Sequence, residues 1–246
     1  MINIVNQNIV GGKNRPGLQD IWNAFMCEGS RWTENDIPIC PTILNAIPDT
    51  IVTWTEAKSI YRHRIKTNIN FKDNSFVCFY EDDYKFDGSR VGVWANPKHA
   101  LKILSHFMGI ITPDFSTYQD FPYPLKIFNT FRMRAFGCWC GNNGLNVINN
   151  VRWGTSETYC YCFDGIEKNS VVAIGTVGGS PRKLSDRKRF EEGLTELIKR
   201  LSPKVILVYG SDNYPCFTKL RKNGISIHGY PGITSRAFKK RGNNYE

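Results

Sequence analysis

Four short apolar runs recur between Phe76 and His228, each closed by polar or glycine residues and separated from the next by helix-like sequence. They are Gly109-Ile110-Ile111-Thr112, Asn146-Val147-Ile148-Asn149-Asn150-Val151, Ser170-Val171-Val172-Ala173-Ile174-Gly175 and Lys204-Val205-Ile206-Leu207-Val208-Tyr209. A near-continuous β-branched run, without alternation, is the pattern of a parallel strand covered on both faces. Phe76-Val77-Cys78-Phe79-Tyr80 precedes the four as a further strand, and Ile225-Ser226-Ile227-His228 follows them.

Helical spacing fills the intervals. Asn96-Pro97 supplies a cap and a first-turn proline ahead of Ala100, Leu101, Leu104 and Phe107. Pro122 to Trp139 reads as a longer helix, ended by Gly141 and Gly144. Ser156–Phe163 predicts a short helix, Asp186 to Leu201 a clear one capped by Ser185, and Tyr214 to Lys222 the last. Before this series, residues 1–15 read as a loose arm or edge strand, and Leu18, Ile21, Trp22, Phe25 and Met26 as a short amphipathic helix. Ile51-Val52-Thr53-Trp54 fits a strand followed by a helix to about Arg64, whose Lys58, Arg62, His63, Arg64 and Lys66 read as a solvated charged face.

Strand and helix alternate about six times, at the spacing of βα units. The expected class is α/β: a TIM-like, complete or incomplete barrel, or an open, mostly parallel sheet. No Rossmann-type glycine fingerprint follows any strand, which favours the barrel-like arrangement. The domains expected are an N-terminal extension over 1–70 with short helices, a βα-repeat core over 71–231, and a basic tail over 232–246.

The segments Thr112-Pro113-Asp114-Phe115-Ser116, Asn146 to Gly154, Val171 to Thr176 and Pro203 to Gly210 resemble, in order and spacing, the family catalogued as domain of unknown function 4417. The likeness covers roughly Phe76 to Tyr230. Members of that family occur in bacteria, phages and other mobile elements, so the resemblance implies an architecture and a setting; it implies no mechanism.

Composition adds three constraints. An apolar fraction of 41% with 13% aromatics is that of a folded globule. The 32 Lys and Arg against 22 Asp and Glu give a formal charge of +10, which favours polyanionic partners: nucleic acid, nucleotides or an acidic protein surface. No stretch approaches the ~20 apolar residues of a membrane span, and the N-terminus lacks the pattern of a signal peptide. With eight scattered cysteines, the expected setting is the reducing cytoplasm, with no membrane partner.

In repeating βα folds the residues just after each strand line the ligand-binding face. Here those are Glu81-Asp82-Asp83, Pro113-Asp114-Phe115-Ser116, Arg152-Trp153-Gly154, Thr176-Val177-Gly178-Gly179 and Tyr209-Gly210-Ser211-Asp212. Asp82, Asp83 and Asp114 would suit a divalent metal, magnesium or manganese, activating water; equally, acidic residues in these places cap helices and brace turns. Arg152 would clamp a phosphate, with Trp153 as a stacking surface, or both would be internal. Ser116, Thr176, Tyr209 and Asp212 complete the expected ligand face, and His228 is the one histidine at a strand end. Asn129, Arg132 and Arg134 on the long helix either add polar contacts or form a solvent-facing strip. Cys138-Trp139-Cys140 and Cys160-Tyr161-Cys162 lack the two-residue spacing of a zinc knuckle and read as buried thiols on helices. In the tail, Arg236, Lys239, Lys240 and Arg241 around Phe238 suit a nucleic-acid backbone.

These features support a phage or mobile-element protein that binds or processes nucleic acid or a nucleotide at the strand C-terminal mouth, by metal-assisted phosphodiester chemistry if it is an enzyme. The reading from another class is a non-enzymatic interaction protein docking on a host protein.

Overall fold

The computed structural model describes residues 20, 22–177 and 184–242, with the backbone alone for 238–242. The expected arm over 1–15, most of the first helix, and Gly178 and Gly179 lie outside these; the described end of that helix is a 3₁₀ turn, Ala24–Cys27.

Contacts divide the chain into two compact units. The first is Met1–Asn149 with Asp164–Glu167; the second is Asn150–Phe163 with Lys168–Glu246. The first holds strands β1 (Ile51–Thr53), β2 (Asp73–Cys78), β3 (Phe107–Ile111) and β4 (Asn146–Asn150, whose last residue belongs to the second unit). Its helices are α1 (Trp54–Arg64), α2 (Pro97–Leu104) and α3 (Tyr123–Asn142). The second holds β5 (Val171–Gly175), β6 (Val205–Tyr209) and β7 (Ser226–Tyr230), with α4 (Leu184–Leu201), α5 (Pro215–Lys222) and α6 (Ile233–Gly242).

In both units every described strand pair is parallel and the strands stand in chain order. A doubly wound sheet reverses its order part-way; a βα barrel does not. The fold is α/β, built of βα units in the TIM-like progression. β1 pairs with β2 through Ile51↔Phe76, so the series begins before Phe76, in residues that pattern alone placed in an extension.

In the first unit, Thr53 ends β1 and caps α1. Its hydroxyl accepts from Glu56 N at 3.3 Å, and the Glu56 carboxylate accepts from Thr53 N at 2.8 Å, a reciprocal capping box. Asn96 caps α2, with Pro97 in the first turn. The core gathers Val77, Phe79, Phe86, Ile110, Phe115, Phe136 and Val147 between strands and helices. The irregular segment before β1 is fixed to that core: Ile43 and Val147 exchange backbone hydrogen bonds, and Cys40 N donates to Gly165 O at 2.8 Å.

Three local expectations are corrected. Ser156–Phe163 is a 3₁₀ turn, Ser156–Thr158, followed by turns. There Thr158 Oγ donates to Thr155 O and accepts from Gly154 N, local bonds that compete with a helical ladder. Helix α4 begins at Leu184, so Ser185 lies inside it. Helix α3 runs through Gly141 to Asn142, and Gly144 follows with φ of 82°.

The second unit buries Val172, Ile174, Ile206, Val208, Phe190, Leu194 and Phe217. Trp153 lies against α4, 5.2 Å from the ring of Phe190, over a helical position that has no side chain. A Cβ on Gly193 would collide with the indole of Trp153. Gly193→Ala should therefore destabilise the chain by about 1–3 kcal/mol through overpacking, although alanine is the better helix former by about 1 kcal/mol. Urea unfolding checks this: the midpoint should fall with an unchanged slope, and a raised midpoint would show that the indole moves aside freely.

Candidate functional site

In the first unit the loops after β2 and β3 are tied together and to α3 by one polar network. The Asp83 carboxylate accepts from Ser116 N at 3.1 Å and from Ser116 Oγ at 2.8 Å. Asn129 Nδ2 donates to Ser116 O, and Asn129 Oδ1 accepts from Arg132 Nε and Nη2 at 3.2 and 2.7 Å. Arg132 then makes a bidentate pair with Asp87, at 2.8 and 2.9 Å. Its guanidinium lies 3.9 Å from the ring centre of Phe115 and within 6 Å of those of Phe128 and Trp94. Burial raises the Asp87 pKa against the opposing pull of Arg132, with neighbouring Asp83 adding to the rise.

Asn129 and Arg132 are thus buried members of a connected network. Arg134 is fully buried, and its Nε donates to Asp164 O at 2.9 Å. The solvent-facing strip expected on α3 is corrected: its polar side chains face inward. Asp87 was not singled out by sequence reasoning at all. The signal available was a long helix, apolar all round, interrupted by Lys126, Asn129, Arg132 and Arg134; in such a helix a charged residue is buried with a partner.

The other carboxylates of this mouth also have partners. Glu81 accepts from Thr55 N and Oγ at 2.9 and 3.0 Å, at the start of α1, and Asp82 pairs with Lys85 at 3.6 Å. Asp114 is buried in the first unit. Among the described residues no group of three or more His, Cys, Asp or Glu side chains is placed to hold a metal ion, so Asp82, Asp83 and Asp114 are not gathered into one centre.

The cysteine pairs divide. Cys138 and Cys140 lie on α3 and are buried, whereas Cys160 is exposed in a turn and Cys162 buried, so that pair is not helical. Cys138 and Cys40 share a thiol hydrogen bond that raises the pKa of Cys40, with burial adding to it, and lowers that of Cys138.

In the second unit Arg152, Thr176, Tyr209 and Asp212 stand at or just beyond strand C-terminal ends. Thr176 Oγ donates to Ser211 O at 3.0 Å and Thr176 N to Tyr209 O at 2.9 Å, stitching the ends of β5 and β6. Asp212 is held by Arg221 and rests on Gly229, where any Cβ would meet its carboxylate. Arg152 and Trp153 are half-buried, and the indole packs inside its own unit under α4. His228 shares a 3.0 Å hydrogen bond with Ser226 Oγ. The basic tail is helical: Arg236 is half-buried on α6, and the side chains of Lys239, Lys240 and Arg241 lie outside the described residues. No helix among the described residues is long and apolar enough to cross a membrane.

The family described as Domain of unknown function (DUF4417) matches residues 37–231. The chain belongs to this family. The match begins in the segment that packs on β4, well before Phe76, so the irregular region from residue 37 lies within the matched family region. The chain is 29% identical over 230 residues to the Gene 1 protein of Mycobacterium phage L5, covering 89% of this chain and 94% of that protein. It is 30% identical over 200 residues to the Gene 1 protein of Mycobacterium phage D29, covering 81% and 69%. This DUF4417 chain is thus a relative of phage proteins. No solved structure matches it significantly.

Replacing Arg132 by methionine, similar in length but uncharged, should cost about 3–5 kcal/mol, because Asp87 would be left as a buried charge without its partner. Urea unfolding of Arg132→Met measures this; a loss under about 1 kcal/mol would mark the pair as solvent-screened.

Proposed function

We propose that this DUF4417 protein binds nucleic acid through its second unit. The observation that carries the reading is where the charge resides. The first unit contains 15 Lys and Arg and 15 Asp and Glu, a formal charge of zero. The second contains 17 Lys and Arg against 7 Asp and Glu, so the whole +10 belongs to it. A single-sign surplus confined to one compact unit attracts a polyanion and speeds its encounter.

Several of these cations are exposed on helices. Lys188 and Lys199 lie on α4 beside Glu192 and Glu196. Lys219 and Lys222 lie on α5 with no carboxylate partner among the described residues. Arg236, Lys239, Lys240 and Arg241 extend the surplus along α6. Phosphates would be met by these side chains, and at the strand ends by half-buried Arg152, with Asp212 retained by Arg221; Thr176 and Tyr209 are buried and brace the strand ends. Binding, without phosphodiester cleavage, is the reading supported, since Asp82 and Asp83 are engaged with Lys85 and Ser116.

The test is binding of labelled single- and double-stranded DNA and RNA across a salt series. Affinity should fall steeply with salt, and Lys219→Gln with Lys222→Gln should weaken it uniformly across sequences and lower the salt slope by about 2. Lys98→Gln with Lys102→Gln, on α2 of the neutral unit, should change neither. No binding at low salt would overturn the reading, as would equal effects of the two double variants.

A further inference from the structure

Strand β7 pairs with β6 alone among the described residues. In a parallel ladder successive residues direct their backbone groups alternately to the two sides. Ser226 N donates to Lys204 O at 3.2 Å, and Tyr230 O accepts from Gly210 N at 2.8 Å. Ser226, His228 and Tyr230 therefore face β6, and the N–H and C=O groups of Ile227 and Gly229 point to the other side. Gly229 is exposed and Ile227 half-buried.

Natural sheet edges are guarded against strand addition by a lysine on the strand, a proline within it, or a bulge. β7 reads Ser-Ile-His-Gly-Tyr, without charge or proline, and keeps five consecutive register pairs with β6, from Val205↔Ser226 to Tyr209↔Tyr230. Its setting is mostly basic: the Asp212 carboxylate, which lies against Gly229, is paired with Arg221. Residues 213–245 contain no Asp or Glu and seven Lys or Arg, three of them (Lys219, Arg221 and Lys222) in the last turn of α5, which leads directly into β7.

We propose that the outer edge of β7 takes an extended, acidic protein segment as an added strand. Backbone pairing to Ile227 and Gly229 supplies the register, as in other strand-addition complexes, and the surrounding cations select acidic side chains. A second copy of this chain is a poor occupant, because two units of formal charge +10 repel each other. Nucleic acid has no run of amide donors and acceptors at strand spacing, so it does not meet the edge groups. The inference stands apart from the nucleic-acid reading and needs neither its success nor its failure.

The test uses the full chain and a short labelled peptide alternating valine with glutamate, with polyglutamate of equal charge as the reference and an oligonucleotide as a separate ligand. The alternating peptide, whose valines favour the extended strand that polyglutamate resists, should bind about tenfold more tightly than polyglutamate. Ile227→Pro removes only an outward N–H and leaves the ladder to β6 intact, a place where edge strands accept proline. It should abolish that advantage while leaving oligonucleotide binding as it was. If Ile227→Pro proves unfolded by circular dichroism, N-methylating the backbone of alternate peptide residues puts the same question to the unmodified protein and should also cost about tenfold. Equal binding of the two peptides, no binding of the alternating one, or indifference to both the proline and the N-methyl groups would overturn the proposal.

Discussion

The bidentate pair between Arg132 and Asp87 is the contact on which the mouth of the first unit depends. It joins the middle of α3 to the long connection after β2, and Asn129 and Ser116 carry the same restraint to the connection after β3. A buried ion pair gives little net stability against an apolar pair of equal volume, because desolvation cancels most of the attraction. Its effect is on specificity. With Phe115 on one side of the guanidinium and Asn129 and Asp87 at its nitrogens, other placements of these loops leave a charge unpaired. The raised pKa of Asp87 carries the same message: burial outweighs the attraction that holds the pair.

That network decides how the acidic residues of the first unit can be used. Asp83 spends both oxygens on Ser116, Asp87 on Arg132, and Glu81 braces the first turn of α1 through Thr55. Carboxylates at strand ends can serve metals or loops, and a carboxylate already accepting two hydrogen bonds from a rigid backbone and a hydroxyl is poorly placed to move onto a cation. The mouth of this unit is built to hold its connections still.

The strands were legible because burial on both faces leaves β-branched runs, as in Val171-Val172-Ala173-Ile174 and Val205-Ile206-Leu207-Val208, that polar substitution would interrupt. The polar members of α3 were not. Periodicity assigns a face by hydrophobicity, so Asn129 and Arg132, spaced three apart, look like a solvent strip until a partner is known. That partner, Asp87, lies 45 residues away in a stretch with no period of its own. Ser156–Phe163 failed for a different reason: aromatic and cysteine residues at helical spacing outweighed Gly154 and Thr158, whose short-range bonding prevents the helix. The basic patch was legible only as a total, because a net charge has no location until the division between units is known.

With the division known, the charge becomes an argument about what each unit does with its ions. In the first unit cations and carboxylates are equal in number, and pairs such as Arg132–Asp87, Arg64–Asp73 and Arg31–Glu167 satisfy them internally. In the second, Asp212 and Glu196 are already held by Arg221 and by Lys199 and Arg200. The remaining carboxylates are too few to match the other cations, so the folded unit carries a self-repulsion that pairing within it cannot remove. Replacing a few exposed lysines such as Lys219 and Lys222 by glutamate would relieve that repulsion without disturbing the core. On the proposed reading, an anionic partner supplies the countercharge that the second unit itself lacks.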